Sequence, residues 1–301
     1  MKRLITLTLA AVMLIAACLP VATASAKDST ATVSAAQFKT AKKEKVTKKQ
    51  RDGFYKRAAF VGNSVGLGQK YYFDRQGNNY LGSPKMLVRG CYSFYNDKHK
   101  RSEWMISYNG QKMQAKYAIK AANVKRVFIN MGGNDFVGDA DFVFNNYVEY
   151  LRGIRKVNPD VVIFIESTTG VTASRQGKYL NSRNVAKLNE LMAEYCKKCR
   201  DMYFIDVGSK LNDKNGYLMR KYSSDNYVHL TDAAYEVWTK EMIKYTDKLI
   251  LKERAAKKAV VKAEKSRKEA DVKYAKKLIK KLEKSTVKKD LITRARAIEI
   301  K

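Results

Sequence analysis

Cysteine is scarce in this chain: four in 301 residues, one of them (Cys18) inside an apolar leader. Of the other three, Cys196-x-x-Cys199 has the spacing of a redox or metal pair. A four-ligand zinc site would need further ligands, yet there is no second cysteine pair and both histidines lie far off in sequence. A redox pair belongs at the start of a helix, and this one closes a helical stretch, so Cys91, Cys196 and Cys199 read as structural thiols. Histidine is scarcer still. Only His99 and His229 are present, so chemistry that needs an imidazole falls on one of them. Acid is also short: 29 Asp and Glu against 60 Lys and Arg give a net charge of +31, far beyond what solubility needs. The one long apolar run, residues 4–19, is too short for a confident membrane span. Nothing in the sequence implies a metal or an organic cofactor.

The N-terminus reads as an export signal. Lys2 and Arg3 precede the apolar run, and Ala24-Ser25-Ala26 is an A-x-A cleavage site. A secreted or cell-envelope protein is expected. Ile15-Ala16-Ala17-Cys18 also resembles a lipobox, which would leave Cys18 lipid-anchored. We divide the chain into a signal peptide (1–26), a basic flexible linker (27–52), an α/β domain (53–250) and a Lys-rich helical tail (251–301).

The middle alternates strands and helices. Strands are expected at residues 57–61, 86–88, 124–131 (VKRVFINM), 161–166 (VVIFIE) and 202–206 (MYFID), with β-branched and aromatic residues suited to burial on both faces. Val143, Tyr147, Val148, Leu151 and Ile154 share one helical face, as do Val185, Leu188, Leu191, Met192 and Tyr195. A last domain helix runs through Ala234, Val237, Trp238, Met242 and Tyr245. The pattern predicts an α/β three-layer sandwich around a roughly five-stranded parallel sheet, with ligand at the carboxyl ends of the strands. In the tail, Val272, Ala275, Leu278, Ile279 and Leu282 fall on one face of a basic amphipathic helix without Pro or Gly. It is expected to pack on the domain, to self-associate, or to lie on an anionic surface.

Three stretches carry chemistry. Phe60-Val61 runs into Gly62-Asn63-Ser64-Val65-Gly66-Leu67-Gly68, a serine at the turn after the first strand. Flanking glycines are expected to let the backbone turn sharply and present N–H groups to an oxyanion. Met131-Gly132-Gly133-Asn134-Asp135 follows the third strand, where an Asn amide can donate to developing negative charge. His229 stands just ahead of Thr231, which can cap the last domain helix. His99, in the charged run Asp97-Lys98-His99-Lys100-Arg101, reads as solvent-exposed.

In this order and spacing, the stretches resemble the SGNH hydrolases, also called GDSL-type esterases or lipases, over residues 54–248. Asn189, Phe204-Ile205-Asp206 and Gly216-Tyr217-Leu218 agree with the resemblance. It implies an SGNH (flavodoxin-like) fold, Ser64 as nucleophile and His229 as its base. It also implies oxyanion donation by the Ser64 amide, the Asn134 side chain and the Gly90 amide, with Gly82 as the alternative for the last.

Two positions depart from the family pattern. Gly62-Asn63-Ser64 stands where Gly-Asp-Ser is usual, and the triad-acid slot three residues before the histidine holds Asn226, with Asp225 one residue earlier. Three outcomes stay open: Asp225 reaches the ring, Ser64 and His229 work as a dyad, or the enzyme is weak or dead. The resemblance implies an acyl-ester substrate. With the charge and the export signal it points to O-acyl groups of cell-surface carbohydrate, and to an anionic cell-wall polymer or membrane surface as partner. The aromatics Tyr71, Tyr72, Phe73, Tyr80, Tyr92, Phe94 and Tyr95 suit sugar stacking or plain packing. Nucleic acid is not an expected partner, since no binding module is present. The oligomeric state is left open.

Overall fold

A computed structural model describes residues 44–100 and 102–301. The signal peptide and most of the expected linker lie outside the described residues. Five strands form the central sheet: β1 (Ala58–Gly62), β2 (Lys85–Val88), β5 (Arg126–Asn130), β6 (Val162–Glu166) and β7 (Met202–Ile205). All neighbouring pairs are parallel and the order is β2-β1-β5-β6-β7. A short antiparallel hairpin, β3 (Ile106–Tyr108) and β4 (Gln111–Met113), stands apart. The helices are α1 (Lys48–Tyr55), α2 (Ser64–Arg75), α3 (Phe94–Lys98), α4 (Ala115–Ala121), α5 (Ala140–Val157), α6 (Ser182–Lys198), α7 (Asp232–Ser266), α8 (Glu269–Lys280) and α9 (Thr286–Arg296).

Each sheet strand lies within about two residues of its expected position, and in β1, β5 and β6 this follows because both faces are buried and the apolar runs are nearly continuous. Register does the rest. Phe60, Phe128, Phe164 and Tyr203 are direct partners across four strands. Their rings stack at centroid distances of 4.8, 4.6 and 5.1 Å. This ladder faces α1, α2 and α7, where Trp238 and Met242 are buried. Val61, Ile129 and Ile165 point to the other face, against α4, α5 and α6. The sheet is thus covered on both sides, in the three layers expected. Strand order reverses at β1, and the crevice at such a switch point, outside the carboxyl ends, is where open α/β sheets place ligands.

Both ends of the predicted domain need correction. Residues 48–52, assigned to the linker, are the first turns of α1. Thr47 and Gln50 form a capping box, Val46 is buried, and Arg51 grips Asp247 of α7 with two hydrogen bonds of 3.2 and 2.5 Å. The polar composition that reads as flexible is therefore used in ion pairs to a distant helix. Nor does the domain end near residue 250. The last domain helix and the start of the tail are one helix, α7, of 35 residues, about 52 Å long at 1.5 Å per residue. Its second half packs with α8 and α9 around Val260, Ala263, Val272, Ile279 and Leu291. The α8–α9 connection is pinned at the amino end of β7, where the Asp201 amide donates to the Lys284 carbonyl and the Asp201 carboxylate accepts from Thr286.

Candidate active site

Ser64 opens α2 directly after β1. As the first helical residue, its N–H has no intrahelical acceptor, and it sits at the positive end of the helix dipole. Asn63 is the cap: its buried side-chain oxygen accepts from the Val65 amide at 3.0 Å. An amide thus fills the capping role of the usual acid without placing a charge in a buried position. The glycines act differently from expectation. Gly62, Gly66 and Gly68 do not have positive φ. They permit close approach instead. A Cβ at Gly62 would lie 3.1 Å from the Gly66 Cα, one at Gly66 would lie 3.1 Å from Val88, and one at Gly68 would lie 2.1 Å from the Tyr235 hydroxyl.

His229 lies in the loop before α7, whose N-cap is Thr231. Its Nε2 is 3.0 Å from Ser64 Oγ, and its Nδ1 is 2.6 Å from Asp225 Oδ2. An ionised carboxylate only accepts, so Nδ1 carries the hydrogen and Nε2 is left to accept from the serine hydroxyl. The structure therefore joins residues 64, 229 and 225 in one chain of hydrogen bonds. Asn226 does not take the acid's position. It adopts the left-handed conformation (φ 57°), and its carbonyl accepts from the Thr172 hydroxyl.

The loop explains how Asp225 reaches the ring. Its Oδ1 accepts from the amides of Tyr227, Val228 and His229 at 2.8, 3.1 and 3.1 Å, and from the Ser223 hydroxyl at 3.2 Å. Oδ2 is then left facing the imidazole. Burial works to raise the Asp225 pKa, but the bonds from the His229 ring and from the Tyr227 and His229 amides outweigh it and hold the carboxyl below its usual value. The pair is open to solvent: the His229 side chain is 46% exposed and that of Asp225 34%.

Asn134 follows β5, the neighbour of β1, in the short turn Gly133–Asp135. Gly132 takes φ 104° there, a conformation that favours glycine. The turn lies beside the serine's cap, since a Cβ at Gly133 would stand 3.6 Å from Asn63 Nδ2. Asn134 Nδ2 donates one hydrogen to the Tyr92 carbonyl at 3.0 Å, which orients the amide and leaves its second hydrogen for a ligand. Behind it, buried Asp135 accepts from the Phe94 amide at 2.8 Å and ties this turn to the start of α3. Burial pushes its carboxyl up to about 7. Gly90 follows the carboxyl end of β2, with no hydrogen-bond partner for its N–H among the described residues. Gly82 precedes β2, at the opposite end of the parallel strands, beside Asp52 of α1. It is therefore not placed for an oxyanion role.

Other expected positions fall into supporting roles. Asn189 clamps Thr168 with reciprocal bonds of 2.9 and 2.8 Å, and Asp206 accepts from Ser167 and Ser209. His99 is exposed at the end of α3, against Tyr95. Cys196 is buried in the core, and burial pushes its thiol pKa up, away from the reactive thiolate. Of the seven aromatics, Tyr72, Phe73, Tyr92 and Phe94 are buried and Tyr80 is half-buried, whereas Tyr71 and Tyr95 are exposed. A cleft of about 740 Å³ reaches from Asn134 between α3 and α5. Tyr95, Phe142, Tyr150 and Ile154 line it, with Lys116 and Arg152 among its charged groups. No sequence pattern marks this cleft, because its walls come from α3, α4 and α5 and only Asn134 and Asp135 belong to the site motifs.

Residues 60–237 match the model of the GDSL-like Lipase/Acylhydrolase family. No curated protein sequence matches the chain. Similar solved structures include a candidate platelet activating factor from Streptococcus pneumonia, with 17% identity, 66% of this chain and 92% of that one covered, and TM-score 0.48. A GDSL-like lipase from Bacteroides thetaiotaomicron shows 19% identity, 64% and 89% coverage, and TM-score 0.45. A carbohydrate esterase family 3 protein from Talaromyces cellulolyticus shows 11% identity, 64% and 97% coverage, and TM-score 0.45.

Proposed function

We infer that this chain, which belongs to the GDSL-like lipase/acylhydrolase family, is an exported esterase that removes small acyl groups through an acyl-enzyme on Ser64. The observation that carries the reading is the hydrogen-bonded chain Ser64–His229–Asp225, 3.0 and 2.6 Å long, at the switch point of the sheet. In this reaction His229 Nε2 takes the Ser64 proton as Oγ attacks the ester carbonyl. Asp225 stabilises the imidazolium and holds its tautomer. Negative charge on the carbonyl oxygen meets the amides of Ser64 and Gly90 and the free hydrogen of Asn134. The imidazolium returns its proton to the departing alcohol, and water, deprotonated by His229, releases the acid.

The alcohol half is proposed to be carbohydrate at the cell surface. Export rests on the N-terminal signal pattern, and the cleft beside Asn134, with exposed Tyr95 and Phe142 at its wall, suits sugar rings. The alternative of an inactive member that binds anionic surfaces drew on Asn226, and a carboxylate on the His229 ring weighs against it. The test is hydrolysis of p-nitrophenyl acetate, together with labelling by a fluorophosphonate. Wild type should turn over and label, and Ser64→Ala should do neither. Equal inactivity of both proteins across conditions, with no label on Ser64, would remove the hydrolase reading.

A further inference from the structure

Helix α8 divides its residues cleanly. Val272, Ala275, Ile279 and the following Leu282 are buried against α7 and α9. On the opposite face stand Lys273, Lys276, Lys277, Lys280 and the C-cap Lys281, all exposed, and Lys284 follows in the connection to α9. Steps of three and four residues keep the five helical lysines in one row, which extends about 12 Å along the helix axis. The first five make no ion pair among the described residues, and Lys284 donates to the Lys198 carbonyl. Nearby acids are few. Glu269 stands at the start of the row, Asp271 on the same helix pairs with Lys262 of α7 at 2.8 Å, and the Glu283 carboxylate accepts from the Tyr245 hydroxyl. Like charges packed this closely repel one another, so the row is a standing electrostatic cost unless a polyanion neutralises it.

We propose that this lysine row is a docking surface for a linear polyanion, a chain carrying one fixed negative group per repeat. The shape favours a polymer over a bilayer. A membrane-surface helix lays its apolar face into the lipid, and here that face is consumed in the three-helix core. Tyr274 is the one large exposed apolar residue on α8, so the anchors of a protein interface are missing as well. Five lysines without an arginine supply point charges, not the stacking and bidentate contacts by which bases are read. The extension is pinned at the amino end of β7, whereas Ser64 and His229 gather at the carboxyl ends, so the row holds the protein on a polymer without entering the site. Tethering of this kind raises the local concentration of ester groups on the same polymer.

The experiment measures binding of the full chain to long-chain inorganic polyphosphate across a salt series. Binding is read without catalysis, so it stands or falls separately from ester hydrolysis. Wild type should bind, with log K falling linearly against log salt. The variant K276Q/K277Q/K280Q/K281Q should bind at least tenfold more weakly, with a salt slope shallower by about 3, as expected for four lost contacts. A charge-matched control, K187Q/K197Q/K240Q/K244Q, should keep its affinity within threefold. Gln has nearly the helix propensity of Lys, and thermal melts check that both variants are folded. Equal loss in the two variants, or no loss in the first, overturns the proposal. So does tighter binding, at equal phosphate, to vesicles with 30 mol% phosphatidylglycerol or to single-stranded DNA.

Discussion

Replacing Asp225 by Asn removes the charge that faces the imidazolium and leaves the loop able to form, because the amide oxygen can still accept from the backbone N–H groups of residues 227–229. Nδ1 lies 2.6 Å from Asp225 Oδ2, so the centres of the two charges are about 4 Å apart, worth about 4 kcal/mol at the effective dielectric of a protein surface. The ring and the carboxylate are 46% and 34% exposed, and solvent screening trims this to about 3 kcal/mol. That is a loss of about a hundredfold in kcat/KM, smaller than the roughly ten-thousandfold known for the same change at a buried protease triad. The assay is p-nitrophenyl acetate hydrolysis at pH 8 for wild type, Asp225→Asn and Asn226→Gly. Glycine accepts the positive φ of position 226, so Asn226→Gly should stay within threefold of wild type. If Asp225→Asn also stays within threefold, or Asn226→Gly loses a hundredfold, the assignment of the acid to position 225 is wrong.

Other outcomes follow from packing and burial. Gly68→Ala drives a methyl group against the Tyr235 ring and strains the 2.8 Å bond from its hydroxyl to the Val65 carbonyl. Urea unfolding should show a loss of about 3 kcal/mol. Glu166 is fully buried under α7, and burial pushes its carboxyl up from 4.5 to about 7, against the Trp238 indole bond that favours the charged form. Its folded pKa exceeds the unfolded one, so its contribution to stability is complete below about 4.5 and is lost as pH rises through about 7. At 1.36 kcal/mol per unit the loss is about 3 kcal/mol. Glu166→Gln should flatten the pH dependence of denaturant midpoints by that amount, and an unchanged slope would refute the assignment. Gly153→Trp, in the wall of the cleft beside Asn134, should raise KM for an acetylated oligosaccharide at least fivefold and leave p-nitrophenyl acetate hydrolysis within twofold. Equal losses on both substrates would show that the cleft is not where the larger group binds.

The sheet was legible because buried parallel strands write themselves as apolar runs: VFIN and VIFIE need no partner to be recognised. The site was legible where a motif ends a strand, as at Ser64 and Asn134. What stayed hidden depends on contacts between residues distant in sequence. Residues 48–52 read as linker because lysine, arginine and aspartate look solvated until Arg51 meets Asp247, 196 positions away. The continuity of α7 past residue 250 was obscured because the apolar stripe of a lysine-rich helix is weak until α8 and α9 supply the other half of its core. The role of the glycines after Ser64 was misread for the same reason, since Val88 and Tyr235, which require them, belong to other elements.

The acid at position 225 shows where a motif slot and a geometry part company. The family pattern assigns the carboxylate to a residue three before the histidine, and on that reading Asn226 points to an impaired enzyme. The loop reaches the same place with one residue more. Asn226 absorbs the extra length in a left-handed turn, a conformation that Asn visits more readily than most side chains. Thr172 fixes the turn from outside: its hydroxyl donates to the Asn226 carbonyl at 2.7 Å and its amide to the Tyr227 carbonyl at 3.2 Å. The carboxylate one position earlier then collects three backbone N–H groups on one oxygen, which leaves its other oxygen little choice but the imidazole. The amide at 226 is therefore part of how the acid is positioned, and Thr172→Val should weaken catalysis through the loop. The expected loss in kcat/KM is severalfold, restored by Thr172→Ser, which returns the hydroxyl. Failure of the serine to restore activity would show that the hydroxyl does not hold the turn.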